Sequence, residues 1–427
     1  MENDERVVAP AAGRFRAGAN VPGDKSSSHR ALILAAMARG SSEITGLGPG
    51  ADIRSTVAAI ESLGVRRSGG RYVSPGADGW LDPARPIDCG NSGTTMRLLT
   101  GALAAGPFRA TLVGDESLTR RPMRRLLPTL SALGAFVELT AEGTAPIRVG
   151  GSELTGASVT TEFASAQVRS AFELAAIRAT GVSEIDGPPG FRDHTERWLT
   201  ALGLGSRPTP TRFRIEPGEV PAARYDIPGD PSSAAFLWAS AALVPGAIVA
   251  TPNVSLNPGR IGFLTILEAM GAKITAGVTG AIHGDPVGTV VVEGDELGSA
   301  EVSGEMVAAA IDELPLVAVL GAYGTGITVV RDATELRAKE SDRIATTVDL
   351  IRALGGDAEA SSDGFQIVGT GGLEAGVVDS RGDHRIAMTA AVAAAAATGP
   401  VTVRDASVAA VSWPSFYDDL EAMWSSR

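Results

Sequence analysis

Residues 26–47, SSSHRALILAAMARGSSEITGL, read as a small-residue helix, a glycine break, and a short β-branched strand that closes on a polar turn. The phrase returns as GTTMRLLTGALAAGPFRATLVGD (93–115), SAQVRSAFELAAIRATGVSEIDG (165–187), PSSAAFLWASAALVPGAIVATPN (231–253), DELPLVAVLGAYGTGITVVRD (312–332) and DHRIAMTAAVAAAAATGPVTVRD (383–405). Six copies at spacings of roughly 70 residues make an internal repeat, which sets the fold class before any single motif does.

A second phrase follows in most copies, a helix ending on an apolar residue plus Gly and then an alternating strand. It occurs at Leu63-Gly64, Leu133-Gly134, Leu202-Gly203, Met270-Gly271 and Leu354-Gly355, where the glycine suits a left-handed helix C-cap. Each unit is therefore βαβ-rich with two helices, and six units divide into two groups of three, predicting an α/β protein of two similar domains. The sixth unit stops at LEAMWSSR with no strand after it, so the segment from Arg14 to Val21 is expected to supply the missing strand and close the chain on itself. This gives a discontinuous domain of residues 1–20 and 228–427, carrying both termini, and an inserted domain of residues 21–227. Both crossings hold a Pro followed by Gly, as a turn or hinge would.

Composition narrows the function. The chain has 427 residues, 44% of them hydrophobic, and a formal net charge of -12, which argues against a general nucleic-acid or membrane-surface binder. Cys89 is the only cysteine, so no internal disulfide can form and a reducing cytoplasm fits. The start, MENDERVVAP, lacks the basic and apolar stretches of a signal peptide. The longest nearly uncharged apolar run, from Ile386 to Thr398, is about 13 residues, too short to span a bilayer and better read as a buried helix.

Polar residues collect where the repeated helices begin, and a helix start offers free N–H groups and the positive end of the dipole to an anion. Lysine occurs only at Lys25, Lys273 and Lys339, and two of the three lie in such clusters. The first cluster runs from Pro22 to Arg30, with Lys25 as a point charge, Ser26 as a donor and Arg30 one turn on. In the second, Asp88 to Arg97, Gly93 lets a ligand approach the backbone, and the spacing matches neither a Walker loop nor a dinucleotide fingerprint. Of the arginines 120, 121, 124 and 125, Arg121 just before Pro122 is best placed to face a ligand, whereas Arg124 and Arg125 read as a solvated helix face. Ser165, Ala166 and Gln167 open the third repeated helix, and Phe191, Arg192 and Asp193 follow it. Asp312, the stretch from Glu335 to Arg343, and Asp383, His384 and Arg385 supply charge in the second half. Each cluster alone is equally well a cap or an exposed helix face.

Taken in order, PGDKSSSHRA, GNSGTTMRLL, GDESLTRRPM, SAQVRSA, FRDHTERWL, IDELP, LRAKESDRI and DHRIAM resemble the motifs of the EPSP synthase family, over nearly the whole chain from Pro22 to about Phe416. The resemblance implies a two-domain inside-out α/β barrel built from six βαβαββ repeats, with substrates taken in the cleft between the domains. It also implies transfer of the enolpyruvyl group of phosphoenolpyruvate to shikimate 3-phosphate without metal or organic cofactor, by a monomer. By position, Lys25, Ser26, Arg30, Ser165, Ala166, Gln167, Arg192, Asp312 and Lys339 match the contacts to shikimate 3-phosphate. Lys25, Gly93, Arg121, Gln167, Arg343 and Arg385 match the phosphoenolpyruvate site. Asp312 and Glu340 match the acid–base pair, with Lys25 beside the charge and the proton traffic.

Two positions depart from the family pattern: Phe191 stands where a Ser often precedes Arg-Asp-His-Thr-Glu, and Val411 to Pro414 lack a Lys found there in some members. The related UDP-N-acetylglucosamine enolpyruvyl transferase usually uses a loop cysteine, but the matching loop here reads Gly114, Asp115, Glu116 and Ser117. A noncatalytic repeat scaffold would have no use for Asp312, Glu340 and six placed cations. An RNA-end cyclase fits neither the acidic charge nor the placing of His29, His194, His283 and His384, which read as structural or supporting residues.

Overall fold

The repeated phrases fold into the helices α1 (Lys25–Met37), α2 (Gly93–Leu103), α3 (Ala166–Ala176), α4 (Pro231–Leu243), α5 (Leu314–Tyr323) and α6 (His384–Ala393). The computed structural model describes residues 4–106, 108–162 and 164–426. Every residue of α4 is buried, as is α1 from Ser27 onward and α5 from Leu314 to Ala322. Helices this rich in Ala, Leu and Val have no polar stripe to turn outward, so they form the core itself. The apolar run from Ile386 continues α6 to Ala393 and a 3₁₀ turn over Ala394–Ala396. Among the described residues no helix is long and apolar enough to cross a membrane.

Around these helices the described strands form six sheets, five of four strands and one of three. One order recurs: a first strand, parallel to it the strand that follows the repeated helix, then an antiparallel pair. The third repeat shows it in full, as Ser158–Thr160, Ser183–Asp186, Phe213–Ile215 and Gly205–Ser206.

The chain divides into two compact units. One comprises the residues up to Pro22, Gly229–Gly280 and Pro286 onward; the other comprises Gly23–Pro228 with the short segment Ala281–Asp285. Near the crossings the sequence repeats itself as Pro22-Gly23-Asp24-Lys25-Ser26-Ser27-Ser28 and Pro228-Gly229-Asp230-Pro231-Ser232-Ser233-Ala234. Asp24 caps α1 by accepting from Ser27 N at 2.5 Å, and Asp230 caps α4 by accepting from Ser232 N at 2.8 Å. Gly23 is required here, since a Cβ would lie 1.8 Å from the Gly46 carbonyl oxygen.

The first strands of the first and fourth repeats are exchanged. Arg16–Gly18, which precedes α1, pairs with Ile248–Ser255 of the fourth repeat, and Arg224–Asp226, which precedes α4, pairs with Arg39–Thr45 of the first. This corrects the expectation that the segment from Arg14 to Val21 completes the sixth unit. That role falls to Glu5–Val8, antiparallel to Val401–Arg404. The chain does close on itself, but through an earlier strand. Val8 is fully buried there, and Arg6 is tied to Asp418 and Glu421 at 3.0 Å each.

In the unit containing α2 and α3, those two helices approach backbone to backbone at Gly101. A Cβ there would meet the Ala171 carbonyl oxygen at 2.0 Å, so even alanine forces the helices apart. Gly101→Ala is expected to cost about 1–3 kcal/mol of stability, read as a lower denaturation midpoint; an unchanged midpoint would mean that this packing does not hold the unit together.

Candidate active site

In the unit containing α1 to α3, the first turn of α1 presents Lys25, whose ammonium pairs with the largely buried carboxylate of Asp52 on helix Ala51–Ser62. Arg30 lies one turn on and is 4% exposed. It donates from Nε to Thr195 Oγ1 at 2.7 Å, from Nη1 to the Ser26 carbonyl at 2.9 Å and from Nη2 to Ser170 Oγ at 3.0 Å. Three nitrogens are thus committed to protein acceptors, and Arg30 shapes the site by fixing Ser26 and by carrying a charge that water does not screen.

Beneath Lys25 a run of buried hydroxyls joins three helices. His29 Nδ1 lies 2.7 Å from Thr56 Oγ1, Thr56 lies 2.6 Å from Thr95 Oγ1, and Thr95 donates to Ser92 Oγ at 2.7 Å. Ser92 is the N-cap of α2, so this chain of hydrogen bonds sets where Gly93 sits relative to α1. Burial pushes the His29 imidazole down to about 3, so it is neutral at physiological pH.

Gly93, Arg121 and Gln167 come together around Arg97. Arg97 donates from Nη1 to Gln167 Oε1 at 2.8 Å and from Nη2 to the Pro122 carbonyl at 3.2 Å. Gln167 Nε2 donates to Thr94 Oγ1 at 3.0 Å, and Arg121 Nη2 to Asn91 Oδ1 at 2.6 Å. Two guanidinium groups therefore flank the glycine that opens α2, an arrangement suited to a small planar anion. Arg124 instead donates to the Ala141 carbonyl at 2.8 Å, away from this group.

Ser165 caps α3, accepting from Val168 N at 3.4 Å, and Ala166 is its first helical residue. Arg192 lines a small recess with Ala166, Ser170 and Thr195. Phe191 is buried with its ring 4.1 Å from the Arg169 guanidinium carbon, and Arg169 is itself buried in an ion pair with Glu196 at 2.7 Å. The departure at Phe191 is thus a packing choice: the ring covers a charge pair that a serine would leave open.

In the other unit, four of the expected residues meet around a fifth, Arg343, which is 1% exposed at the start of helix Arg343–Ala353. Its Nη1 is 3.2 Å from Asp312 Oδ1, its Nη2 is 2.5 Å from Glu340 Oε2, and its Nε is 2.8 Å from Asp383 Oδ2. Lys339 Nζ also reaches Asp312 Oδ1, at 3.2 Å, and Arg385 Nη1 donates to the Asp312 carbonyl at 3.1 Å. Burial works against the charge of Arg343, but Glu340, Asp383 and Asp312 outweigh it and hold its pKa above the usual arginine value. Asp312 and Glu340 thereby share one immobile cation while remaining partly open to solvent, as groups that exchange protons with a ligand must be. Asp383 also caps α6, accepting from Arg385 N at 2.9 Å. Beside it His384 is buried, which pushes its pKa down to about 4.

The sequence pattern that defines EPSP synthase (3-phosphoshikimate 1-carboxyvinyltransferase) matches residues 11–420. The chain belongs to the EPSP synthase family. It is 44% identical over 425 residues to the 3-phosphoshikimate 1-carboxyvinyltransferase of Chloroflexus aurantiacus, covering 97% of this chain and 98% of that one. It is 42% identical over 424 residues to the enzyme of that name from Methylococcus capsulatus, covering 98% and 97%. Among solved structures it matches EPSP synthase from Acinetobacter baumannii with a TM-score of 0.87 and 35% identity over 98% of both chains. The enolpyruvyl transferase NikO from Streptomyces tendae matches with a TM-score of 0.80 at 16% identity, over 99% of this chain and 98% of that one, and shares the fold. The six-repeat α/β architecture is therefore that of the enolpyruvyl transferases.

Several contributors were not singled out in the sequence. Asp52 and Thr56, spaced to share a helix face, bind Lys25 and the hydroxyl chain; Arg97 and Asp383 stand inside the motifs, and only the fold shows that they hold Gln167 and Arg343. The Trp413 region, which lacks the Lys of some family members, serves packing: Trp413 is buried 5.5 Å from Phe416 and donates to Asp419 Oδ2 at 2.7 Å.

Two expectations follow. A Cβ at Gly93 would lie 2.8 Å from Arg97 Nη1 and 3.5 Å from Arg121 Nη1. Gly93→Ala should therefore displace these guanidinium groups, and KM for phosphoenolpyruvate is expected to rise by about tenfold or more; unchanged kinetics would mean that neither group bears on that substrate. The unfolded chain binds a proton at His29 below its ordinary pKa of 6.5, whereas the folded chain does so only near 3, so stability falls as pH drops through that window. The contribution approaches about 1.4 kcal/mol per pH unit, and His29→Asn should flatten the melting temperature between pH 6 and 4 (roughly that window); an unaltered slope would mean the imidazole is not held neutral.

Proposed function

We propose that this chain transfers the enolpyruvyl group of phosphoenolpyruvate to the 5-hydroxyl of shikimate 3-phosphate, giving 5-enolpyruvylshikimate 3-phosphate and phosphate, a step of aromatic amino acid biosynthesis. The observation that carries the reading is the pair Asp312 and Glu340 held on one buried Arg343, in a chain that aligns end to end with curated enzymes of that name. Asp312 takes the proton of the 5-hydroxyl as its oxygen bonds to C2 of phosphoenolpyruvate, and Glu340 gives a proton to C3, so the methylene becomes a methyl group in a tetrahedral adduct. Glu340 then takes back a methyl proton as the double bond is restored and the C2–O bond to phosphate breaks, and the proton held by Asp312 leaves with the phosphate. Lys25, Arg121, Arg343 and Arg385 offset the charge of the departing phosphate. Lys25, Ser26, Arg30, Ser165, Ala166, Gln167, Arg192, Asp312 and Lys339 are assigned to shikimate 3-phosphate. Lys25, Gly93, Arg121, Gln167, Arg343 and Arg385 are assigned to phosphoenolpyruvate.

The sister reaction on UDP-N-acetylglucosamine has little support, because Cys89 is fully buried and burial pushes its thiol up to about 12. Under this reading the enzyme works as a monomer in the cytoplasm, on two small molecules and apart from membranes and nucleic acids.

The deciding measurement is phosphate release from phosphoenolpyruvate with shikimate 3-phosphate or UDP-N-acetylglucosamine as acceptor. Release is expected with shikimate 3-phosphate alone, and Asp312→Ala or Lys25→Ala should lower kcat by about a hundredfold or more. Release with the sugar nucleotide, or with neither acceptor, would overturn the assignment.

A further inference from the structure

The basic residues just beyond the far ends of α1 and α3 take no part in the site described above. Arg39 follows the last residue of α1 by two positions, and Arg178 does the same for α3. With about 1.5 Å of rise per residue, the end of α1 lies roughly 18 Å from Lys25. There, within one unit, lies a cavity of about 370 Å³ lined by Met37, Arg39, Asp78, Ile177, Arg178 and Val220 among others.

Compensation of two helix C-termini explains why basic residues stand here. It does not explain the state of Arg178. The side chain is 14% exposed, its Nη2 donates to the Asp78 carboxylate, and its Nη1 is buried without an acceptor. A buried N–H of a charged group that has left water and found no partner is costly, and an acceptor brought by a ligand would recover that cost.

We propose that this cavity is a second binding site, for a small organic monocarboxylate with an apolar body. The carboxylate accepts from the Arg178 guanidinium, which turns Nη1 from the wall toward the cavity to meet it, with exposed Arg39 adding attraction from the rim. Met37, Ile177, Ala179 and Val220, each at most 5% exposed, line the cavity and receive the apolar part. Asp78 and Glu219 share the wall and repel a second negative charge, which disfavours phosphate even though arginine is a good phosphate ligand.

The test is a titration of the full chain with benzoate, followed through the methyl resonances of Met37 and Ile177. Saturable shifts are expected, with Kd raised on the order of tenfold or more by Arg178→Met and by a smaller factor by Arg39→Gln. If Arg178→Met does not fold, Arg178→Lys keeps a charge but loses the fixed second N–H, and should also weaken binding. The proposal is overturned if nothing saturates, if benzoate binds the Arg178 variants as it binds the wild type, or if inorganic phosphate moves the same methyls at lower concentration. Shifts confined to residues around Lys25 would place benzoate in the substrate site and overturn it as well. None of these outcomes depends on enolpyruvyl transfer.

Discussion

A helix without a polar face has to be covered on every side, and of the six repeated helices α4, α5 and α1 beyond its first turn are of this kind. Once α1, α4 and α5 are buried along their length, the one place left on them for groups that bind or react is the end. That end is also where backbone N–H groups are unpaired and the dipole is positive. The concentration of lysine, arginine and hydroxyls at the starts of α1, α2 and α3 follows from this exclusion as much as from any demand of a ligand.

The duplicated phrase at the two crossings separates what folding requires from what chemistry requires. Both copies keep Pro, Gly, the capping Asp and two serines, and both caps are made. Only the first has lysine, where the second has Pro231 in the first helical turn. The conserved part of the duplication is the cap, and the reactive group is an addition to it. In the second half the same principle takes acidic form: Asp383 caps α6 and also orients Arg343, so that one carboxylate both ends a helix and aims the cation on which Asp312 and Glu340 depend.

The repeats, the burial of their helices and the family were legible in the sequence because each is local or cumulative. The partners were not. Arg30 reads as a cation ready to fork an anion, but nothing near it in the sequence announces that Thr195 and Ser170, more than a hundred residues away, hold it in place. Asp52 carries no signal until its helix is laid beside α1. Strand pairing failed for a related reason: Arg16–Gly18 has three residues and no apolar alternation to declare its sheet, while Glu5–Val8 is masked by an acidic, polar start. Both destinations depend on where the chain crosses between units, and no window of sequence contains that information.

The pairing of Glu5–Val8 with Val401–Arg404 has a consequence for the order of events on the ribosome. The unit spanning Gly23–Pro228 draws its sheets from contiguous chain and can close early in synthesis. The sixth sheet, by contrast, joins the earliest of the described strands to the last of them. At roughly 5–20 residues per second, the opening strand waits on the order of tens of seconds for its partner, with Val8 uncovered throughout. Glu5 and Arg6, the first two residues of this strand, together with the acidic residues before them, give it charge during that wait, which discourages pairing with another nascent chain.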